Sequence, residues 1–430
     1  MRDLGRVTAL CSVGSYLEYF DLYIAGYAAA SAWPTVFFSG LPANMALALS
    51  FLSLGLLFFG RPVGAWIFGH IGDKVGRRTA TMWTLIVMGV AAAGIGLLPG
   101  IGSIGVAAPV LLGVLRVCQG IGLGGEAGAG ATWVIEAAAA AKSKHRGWWA
   151  SWIQFGSPFG NLTASAVTSF LMGFGTASFL SFNWRIPFLI GAIVAVIGAF
   201  ARFKLMESPL FVSLRKDGKL ARNPPAAVLR ERWKRILPIT ANWLPSISVA
   251  GITIAPFSIM LLTAMHINPS VAAGIGVTFA GGSCVSNVLT AILCDRVGRR
   301  PIAIASTISV ILICYPYFLA LNFAAAAGNT TLIALITFLM GFGAGGWFNG
   351  IAPAIMTESF ETKYRISGAG LSFQFAGLTI GVITSFVASA IVASGPPTQV
   401  WPLIAGVNLI CGLVGLVGAL LLKETKDVKL

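Results

Sequence analysis

The sequence predicts an all-α integral membrane protein whose twelve transmembrane helices form two pseudo-symmetric bundles of six. Of the 430 residues, 57% are hydrophobic and 10% are charged, whereas about 25% of the residues of a soluble globular domain are charged. Turn residues and charges divide the chain into twelve mostly apolar segments, each long enough to cross a hydrocarbon core about 30 Å thick. A short charged motif occurs once in each half of the chain. These observations exclude a water-soluble protein.

The predicted helices are the apolar segments between the turn residues. They cover 8–32, 46–69, 79–98, 108–138, 147–172, 184–206, 235–264, 270–294, 301–323, 330–356, 365–394 and 400–422. The first is interpreted as a retained membrane helix, because it is long, contains two acidic residues and is followed by no cleavage pattern of a signal peptide. The predicted domains are 1–206 and 235–430, with a basic linker over 207–234. In that linker Pro224-Pro225 are expected to interrupt a short amphipathic helix.

The basic residues predict the orientation of the chain. The formal net charge is +15, and all but three of the 29 Lys and Arg residues fall in the segments that would share one membrane face. The exceptions are Arg61, Arg116 and Arg185. Because cytoplasmic loops retain positive charge, both termini are predicted to be cytoplasmic, in the inner membrane. Topology therefore explains the surplus of positive charge, and no nucleic-acid partner is expected.

The charged motif relates the two halves of the chain. Asp73-Lys-Val-Gly-Arg-Arg78 returns about half a chain length later as Asp295-Arg-Val-Gly-Arg-Arg300, each time after the second helix of its half. Glu136 and Glu358 are separated by the same offset, at the ends of helices 4 and 10. Glycine permits a tight turn, and the aspartate can cap a neighbouring helix N-terminus or pair with a base. The candidate gating residues are Arg61, Asp73, Arg77, Arg78, Asp295, Arg299 and Arg300.

Two six-helix halves that each carry this motif resemble the major facilitator superfamily. The chain is most similar to its metabolite:proton symporter family, which includes transporters of α-ketoglutarate, citrate, shikimate, and proline or betaine. The resemblance covers nearly the whole chain. The segments that carry it are Glu18-Tyr19-Phe20-Asp21, Gly60-Arg61-Pro62-Val63-Gly64, Phe68-Gly69-His70-Ile71-Gly72-Asp73, 116–126, Trp184-Arg185-Ile186-Pro187-Phe188, Glu207-Ser208-Pro209 and Glu358-Ser359-Phe360. Departures are Tyr19-Phe20, where the family more often has Trp-Tyr or Trp-Phe, and a short C-terminal tail without the coiled coil of the osmosensory members.

The resemblance implies the major facilitator fold and a transporter, not an enzyme. The expected function is symport of a small organic anion or zwitterion, above all a carboxylate, with protons by alternating access. The alternative is an exchanger or uniporter without proton coupling, and a more distant one is a membrane receptor, for which the cytoplasmic segments are short. No cofactor and no metal are expected, and the expected oligomeric state is a monomer.

Ionisable side chains inside a membrane are costly and therefore mark candidate functional sites. At a rise of about 1.5 Å per residue, Asp21 and Arg116 lie at nearly the same depth, and Arg61 and Glu126 lie together nearer the cytoplasmic face. We expect Asp21 to take up the proton, with Glu18 as a second candidate, and Arg116 to be its partner or the contact of the substrate anion. Glu126 is a further coupling candidate, although its pair with Arg61 resembles a structural brace. For both pairs, the alternative is a lock between helices.

Neutral side chains are predicted to complete the substrate site, since no charged residue lies within helices 7 to 12. The candidate substrate-binding residues are Tyr19, Tyr23, Arg116, Gln119, Trp152, Gln154, Asn242, Trp347, Asn349 and Gln374. Further candidates of the same kind are Asn161, Trp243, Asn287, Tyr315 and Tyr317. For each one taken alone, an interhelix contact or a lipid-facing ring is the alternative.

One motif is set aside. Gly120-x-Gly122-x-x-Gly125 matches a dinucleotide-binding fingerprint, but it lies inside a predicted membrane helix and follows no strand. It is interpreted as a site of helix packing.

Overall fold

The computed structural model describes residues 2–218, 220–382, 391 and 394–428. Within these residues the chain forms helices and turns, and no β-strand. The long helices of the N-terminal half, α1 to α6, are Arg2–Ser31, Ala43–Lys74, Arg77–Leu97, Ala107–Ala140, Arg146–Met172 and Ile186–Phe203. Those of the C-terminal half, α7 to α12, are Trp233–Ser248, Pro269–Val297, Arg299–Ala326, Thr330–Met340, Arg365–Val382 and Pro397–Leu421. Further helical segments continue α7 and α10.

Eight of the described helices are long and apolar enough to cross a membrane. They are α2, α3, α4, α6, α8, α9, α12 and α10 taken over Thr330–Glu358. Helix α1 carries Glu18 and Asp21 in its middle, which lowers its mean hydropathy. Helix α11 was predicted to reach residue 394, but 383–390 and 392–393 lie outside the described residues. The predicted all-α membrane class agrees with this helical content.

Two helices that the apolar pattern predicted as continuous contain π-helical segments. Helix α7 passes into a π-helix over Val249–Ser258 and becomes α-helical again over Ile259–Ala264. Helix α10 does the same over Gly341–Gly345 and ends with Ala352–Glu358. The apolar pattern does not distinguish a π-turn from an α-turn. In α10 the run of glycines, which are poor helix formers, lowers the cost of such a break.

The linker between the halves contains two short helices, Pro209–Lys216 and Pro224–Glu231. The hydroxyl of Ser208 accepts a hydrogen bond from the backbone N–H of Phe211 at 3.4 Å and so caps the first one. The prediction that Pro224-Pro225 interrupt a helix is wrong. These prolines occupy the first turn of the second helix, where a backbone N–H has no intrahelical partner and the fixed φ of proline suits the helix.

Glycines allow α4 to touch its neighbours backbone to backbone. A Cβ atom on Gly120 would lie 2.1 Å from the carbonyl oxygen of Leu57 in α2, and one on Gly122 would lie 2.8 Å from the backbone nitrogen of Met88 in α3. Only glycine fits at such approaches, which are common where membrane helices cross. The interpretation of this glycine motif as a packing site is confirmed.

A buried ion pair, which we call the brace, joins four helices of the N-terminal half. Arg202 of α6 donates to Glu126 of α4 at 2.5 and 2.9 Å, and to the carbonyl oxygen of Leu10 in α1 at 3.0 Å. Glu126 also accepts from the hydroxyl of Thr84 in α3 at 2.6 Å. The predicted pairing of Glu126 with Arg61 is therefore wrong, because Glu126 pairs with Arg202, a basic residue for which no partner was predicted. The rotation of each helix about its axis decides these partners.

We expect Glu126→Gln to destabilise the protein, because it leaves the charge of Arg202 buried without a counter-charge. Removing one partner of a buried pair costs about 3 to 5 kcal/mol, which thermal unfolding in detergent measures. The double variant Glu126→Met with Arg202→Met serves as the control, and its loss of stability should be smaller than that of the single variant. A single variant as stable as the native chain would show that the brace contributes nothing.

Candidate functional site

A buried chain of hydrogen bonds joins α1 to α4. The carboxylate of Asp21 accepts from the side-chain amide of Gln119, whose amide oxygen accepts from the guanidinium of Arg116. Asp21 is 6% exposed, and the other two side chains are fully buried. The predicted direct pair of Asp21 and Arg116 is therefore corrected to a bridged one. Gln119 lies one helical turn from Arg116 on α4, which places its amide between the two charges.

Arg116 has donors that this chain does not use. Its Nε and Nη2 atoms have no hydrogen-bond partner among the described residues. Its guanidinium carbon lies 5.9 Å from the ring centre of Trp33. Nε and Nη2 form one edge of the guanidinium group, and such an edge matches the two oxygens of a carboxylate. The arrangement can therefore bind an anion at Arg116 without breaking the bond to Gln119.

A second buried pair connects the two halves. Arg61 of α2 lies 2.5 Å from Glu18 of α1 and donates to the amide oxygen of Gln374 in α11 at 2.7 Å. The amide nitrogen of Gln374 donates to the carbonyl oxygen of Gly124 in α4 at 3.1 Å. Glu18 is fully buried, and its Oε2 atom has no partner among the described residues. Arg61 therefore has one partner in its own half and one in the other.

Tyrosines of α1 contact amides of α5. The hydroxyl of Tyr19 donates to Gln154 Oε1 at 2.8 Å, and that of Tyr27 donates to Asn161 Oδ1 at 3.1 Å. Tyr23 lies between them on α1 and is half-buried. The predicted candidates from α10, both half-buried, are Trp347 and Asn349. The contact between α1 and α5 thus includes three of the predicted substrate residues, which are Tyr19, Gln154 and Asn161.

Other predicted substrate residues make contacts within one half or lie on the outside. Asn242 of α7 donates to the carbonyl oxygen of Gly415 in α12 at 3.3 Å, and the hydroxyl of Tyr317 donates to that of Ser258 at 3.0 Å. These polar groups are occupied by interhelix contacts, which was the alternative interpretation. Trp243 packs edge-on against Phe373, at 4.8 Å between ring centres. The exposed candidates are Trp152, at 37%, and Tyr315, at 51%.

The repeated motifs, residues 73–78 and 295–300, lie at one end of the bundle, which we call the motif face. In the N-terminal half, Arg77 donates to both carboxylate oxygens of Glu136 at 3.0 Å and lies 3.4 Å from Asp73. The backbone N–H of Arg77 donates to Glu207 at 3.0 Å. The guanidinium of Arg78 lies 5.6 Å from the ring of Phe203.

The C-terminal half repeats this arrangement. Arg299 donates to Glu358 at 3.0 and 3.2 Å and lies 3.2 Å from Asp295. Glu424 accepts from the backbone N–H groups of Arg299 and Arg300, at 2.9 and 3.0 Å. Burial acts to raise the pKa of Glu424, but these backbone hydrogen bonds outweigh it, so the pKa lies below its ordinary value.

The glycine of each motif is required by conformation and by space. Gly76 has a φ of 150° and Gly298 a φ of 120°, and side chains disfavour this region. A Cβ atom on Gly76 would lie 2.2 Å from an oxygen of Glu207, and one on Gly298 would lie 2.6 Å from an oxygen of Glu424. The glutamates that follow the last helix of each half can therefore reach the motif backbone.

Each motif aspartate caps a helix of the opposite half. Asp73 accepts from the backbone N–H groups of Ile366 and Ser367 at the start of α11, at 3.1 and 2.9 Å. Asp295 accepts from those of Gly147 and Trp148 at the start of α5, both at 2.9 Å. The partial positive charge of a helix N-terminus favours both contacts. The capping role expected for Asp73 is confirmed.

Two arginines add ion pairs between the halves. Arg365, at the start of α11, lies 2.9 Å from Glu136, and Arg146, at the start of α5, lies 3.3 Å from Glu358. The halves are thus held together at the motif face in this structure. Both arginines were predicted only as basic residues of the cytoplasmic face, without a partner. No role was predicted for Glu207, which appeared only in the family resemblance, or for Glu424, although Glu207-Ser208 and Glu424-Thr425 form a matching pair after α6 and α12.

Known protein families match both halves of the chain. The family described as "Sugar (and other) transporter" matches residues 7–231, and the family described as "Major Facilitator Superfamily" matches residues 243–429. The chain belongs to the major facilitator superfamily. The predicted family and fold class are therefore confirmed, and the chain is a multi-pass membrane transporter.

Relatives of this superfamily extend over almost the full chain. A shikimate transporter of Escherichia coli is 32% identical over 96% of this chain and 93% of its own length. The inner membrane metabolite transport protein YhjE of the same organism is 30% identical over 89% and 87%. The solved structure of the proton:xylose symporter XylE aligns with a TM-score of 0.74 at 19% identity, over 99% of this chain and 97% of that one, which shows the shared fold. The chain is thus a transporter of small molecules and not an enzyme.

We expect Asp73→Asn combined with Asp295→Asn to favour opening of the motif face. Both helix caps between the halves then lose their charge, at about 1 kcal/mol each, which changes the ratio of open to closed molecules by about thirtyfold. Spin labels at the exposed Lys144 and Lys423 would report this as a longer distance between the halves. Asp427→Asn removes an exposed charge near the same face as a control. Equal distance distributions in the native and double variants would contradict the capping mechanism.

Proposed function

We propose that this transporter is a symporter that moves a small organic carboxylate together with protons. Its proposed location is the inner membrane, with both termini cytoplasmic and the chain acting as a monomer. The observation that carries the proposal is the buried chain from Asp21 through Gln119 to Arg116, in which the arginine has an unused edge. The relatives support it by name, since shikimate is a carboxylate and XylE is a proton symporter.

The proton and the anion are linked through the charge of Arg116. While Asp21 is ionised, its negative charge compensates Arg116 through the Gln119 bridge. When Asp21 takes up a proton, Arg116 holds an uncompensated charge in a buried site, and this state costs free energy unless an anion binds. A substrate carboxylate on the Nε and Nη2 edge restores neutrality. Proton uptake and anion binding therefore favour each other.

The pair of Glu18 and Arg61 is a second candidate for proton coupling. Because Arg61 also donates to Gln374 of the other half, a change in the charge of Glu18 alters a contact that alternating access has to break and remake. The residues that we place in the substrate site are Tyr19, Tyr23, Arg116, Gln119, Gln154, Trp347, Asn349 and Gln374. Glu126 is excluded from coupling in this proposal, because the brace satisfies both of its oxygens.

The proposal is tested with proteoliposomes under an inward proton gradient. We expect the native chain to accumulate labelled shikimate, α-ketoglutarate or citrate above the external concentration. Asp21→Asn should abolish this accumulation while exchange of internal for external substrate continues, because the site no longer changes its charge. Uptake and counterflow are measured in the same preparation.

Two further variants complete this experiment, a control and a test of the alternative carboxylate. Glu126→Gln should reduce the amount of folded protein but leave the proton dependence intact, and Glu18→Gln tests the second carboxylate. Accumulation that survives in Asp21→Asn but not in Glu18→Gln would move coupling to Glu18. Native uptake that ignores the gradient would instead identify an exchanger or a uniporter.

A further inference from the structure

Helices α5 and α8, from opposite halves, run antiparallel and face each other along a contact that we call the seam. At the motif face, the backbone N–H of Gly147 donates to Asp295 at 2.9 Å. At the far end, a Cβ atom on Gly276 would lie 3.7 Å from the amide nitrogen of Asn161. Gln154 is seven residues, about two helical turns, from both Gly147 and Asn161, so it lies on the same face of α5 as they do, and its Oε1 atom accepts from Tyr19 of α1.

Asn287 occupies the corresponding place on α8. It lies eleven residues after Gly276 and seven before Cys294, whose sulfur would be 2.5 Å from a Cβ atom on Gly147. These spacings are about three turns and two turns, so Asn287 lies on the same face of α8 as Gly276 and Cys294. Halfway between the two ends of the seam lie Gln154 on α5 and about residue 285 on α8. Asn287 is about two residues from that midpoint, so it lies within about 3 Å of Gln154 along the helix axis.

Both side chains have polar atoms without a partner. Asn287 is 1% exposed, and neither Oδ1 nor Nδ2 has a hydrogen bond to any described residue. Gln154 is fully buried, and its Nε2 atom also has no partner there. Asn408 of α12 shows the ordinary case, because its amide is hydrogen-bonded to Ser248 and Thr253, both at 2.5 Å. Buried amides without partners are rare and destabilise the fold that contains them.

We infer that Asn287 and Gln154 form a binding site across the seam for a hydroxyl group of the transported molecule. This inference rests on the proposed function and narrows its substrate class to hydroxylated carboxylates. The free atoms are two donors, Gln154 Nε2 and Asn287 Nδ2, and one acceptor, Asn287 Oδ1. A hydroxyl group both accepts and donates hydrogen bonds, so it complements this set.

Other substrate groups fit these atoms less well. A carboxylate only accepts, so it would leave Asn287 Oδ1 without a donor and place negative charge beside it. A quaternary ammonium group has no N–H to donate, and an alkyl chain offers neither a donor nor an acceptor. The seam therefore selects against betaines and unsubstituted aliphatic acids. Because its two amides belong to different halves, a hydroxyl bound there contacts both sides of the interface at which alternating access occurs.

The first test compares the thermal stability of two matched variants without any ligand. Asn287→Leu replaces an unsatisfied amide with an apolar group of similar size, so its Tm should equal or exceed that of the native chain. Asn408→Leu leaves the hydroxyls of Ser248 and Thr253 without their partner, so its Tm should fall by several degrees. If Asn287→Leu lowers the Tm as much as Asn408→Leu does, the amide is structural and the inference is wrong.

The second test measures binding by the thermal shift of the native chain with two probes. Quinate is a cyclic carboxylate with hydroxyl groups, and cyclohexanecarboxylate has the same ring without them. We expect quinate to stabilise the native chain at about tenfold lower concentration, and Asn287→Leu to abolish this difference. An equal response to the two probes, or none to either, overturns the inference. The uptake that remains in Asn287→Leu should still depend on the proton gradient. Loss of hydroxyl selectivity can therefore be distinguished from loss of proton coupling.

Discussion

Inside the membrane, an ionised side chain has to be neutralised by a partner, and the N-terminal half is organised by this constraint. It holds three carboxylate–arginine sets at successive depths: the brace, the pair of Glu18 with Arg61, and the chain from Asp21 to Arg116. The brace satisfies every oxygen of Glu126, whereas the other two sets leave Glu18 Oε2 and two nitrogens of Arg116 without described partners. Complete pairing stabilises helix packing, and incomplete pairing leaves room for protons and ligands.

The motif face applies the same chemistry twice, once for each half. Within a half, the motif arginine joins the end of the fourth helix to the loop after the second. Between the halves, each motif aspartate caps the helix that starts beside it, so the α5 and α11 N-termini are held by symmetric contacts. Because both caps lie at one end of the bundle, opening this face has to break them together. The repeat in the sequence is therefore also a repeat in the contacts that join the two halves at this face.

Much of this organisation could be predicted from the sequence, because composition, apolar segments and a repeated motif are local or periodic signals. The fold class, the recurrence around Asp73 and Asp295, and the packing role of the glycines in α4 are of this kind. The partners of Arg61, Glu126 and Arg202 were not predictable. They depend on the rotation of each helix about its axis and on long side chains that reach across a turn, and one sequence leaves both undetermined.

The two halves contribute different chemistry to the centre of the molecule. The ionised groups described there belong to the N-terminal half, so its charges stay paired within one packed unit while that half moves. The C-terminal half contributes neutral amides, and an amide contact such as Gln374 to Arg61 can break without leaving an isolated charge on the side that departs. This division lowers the cost of separating the halves and leaves the proposed proton site intact. The same reasoning explains why a selective site on α8 would use an asparagine. Without a bound ligand, an unpaired buried amide destabilises the fold less than an unpaired buried charge does.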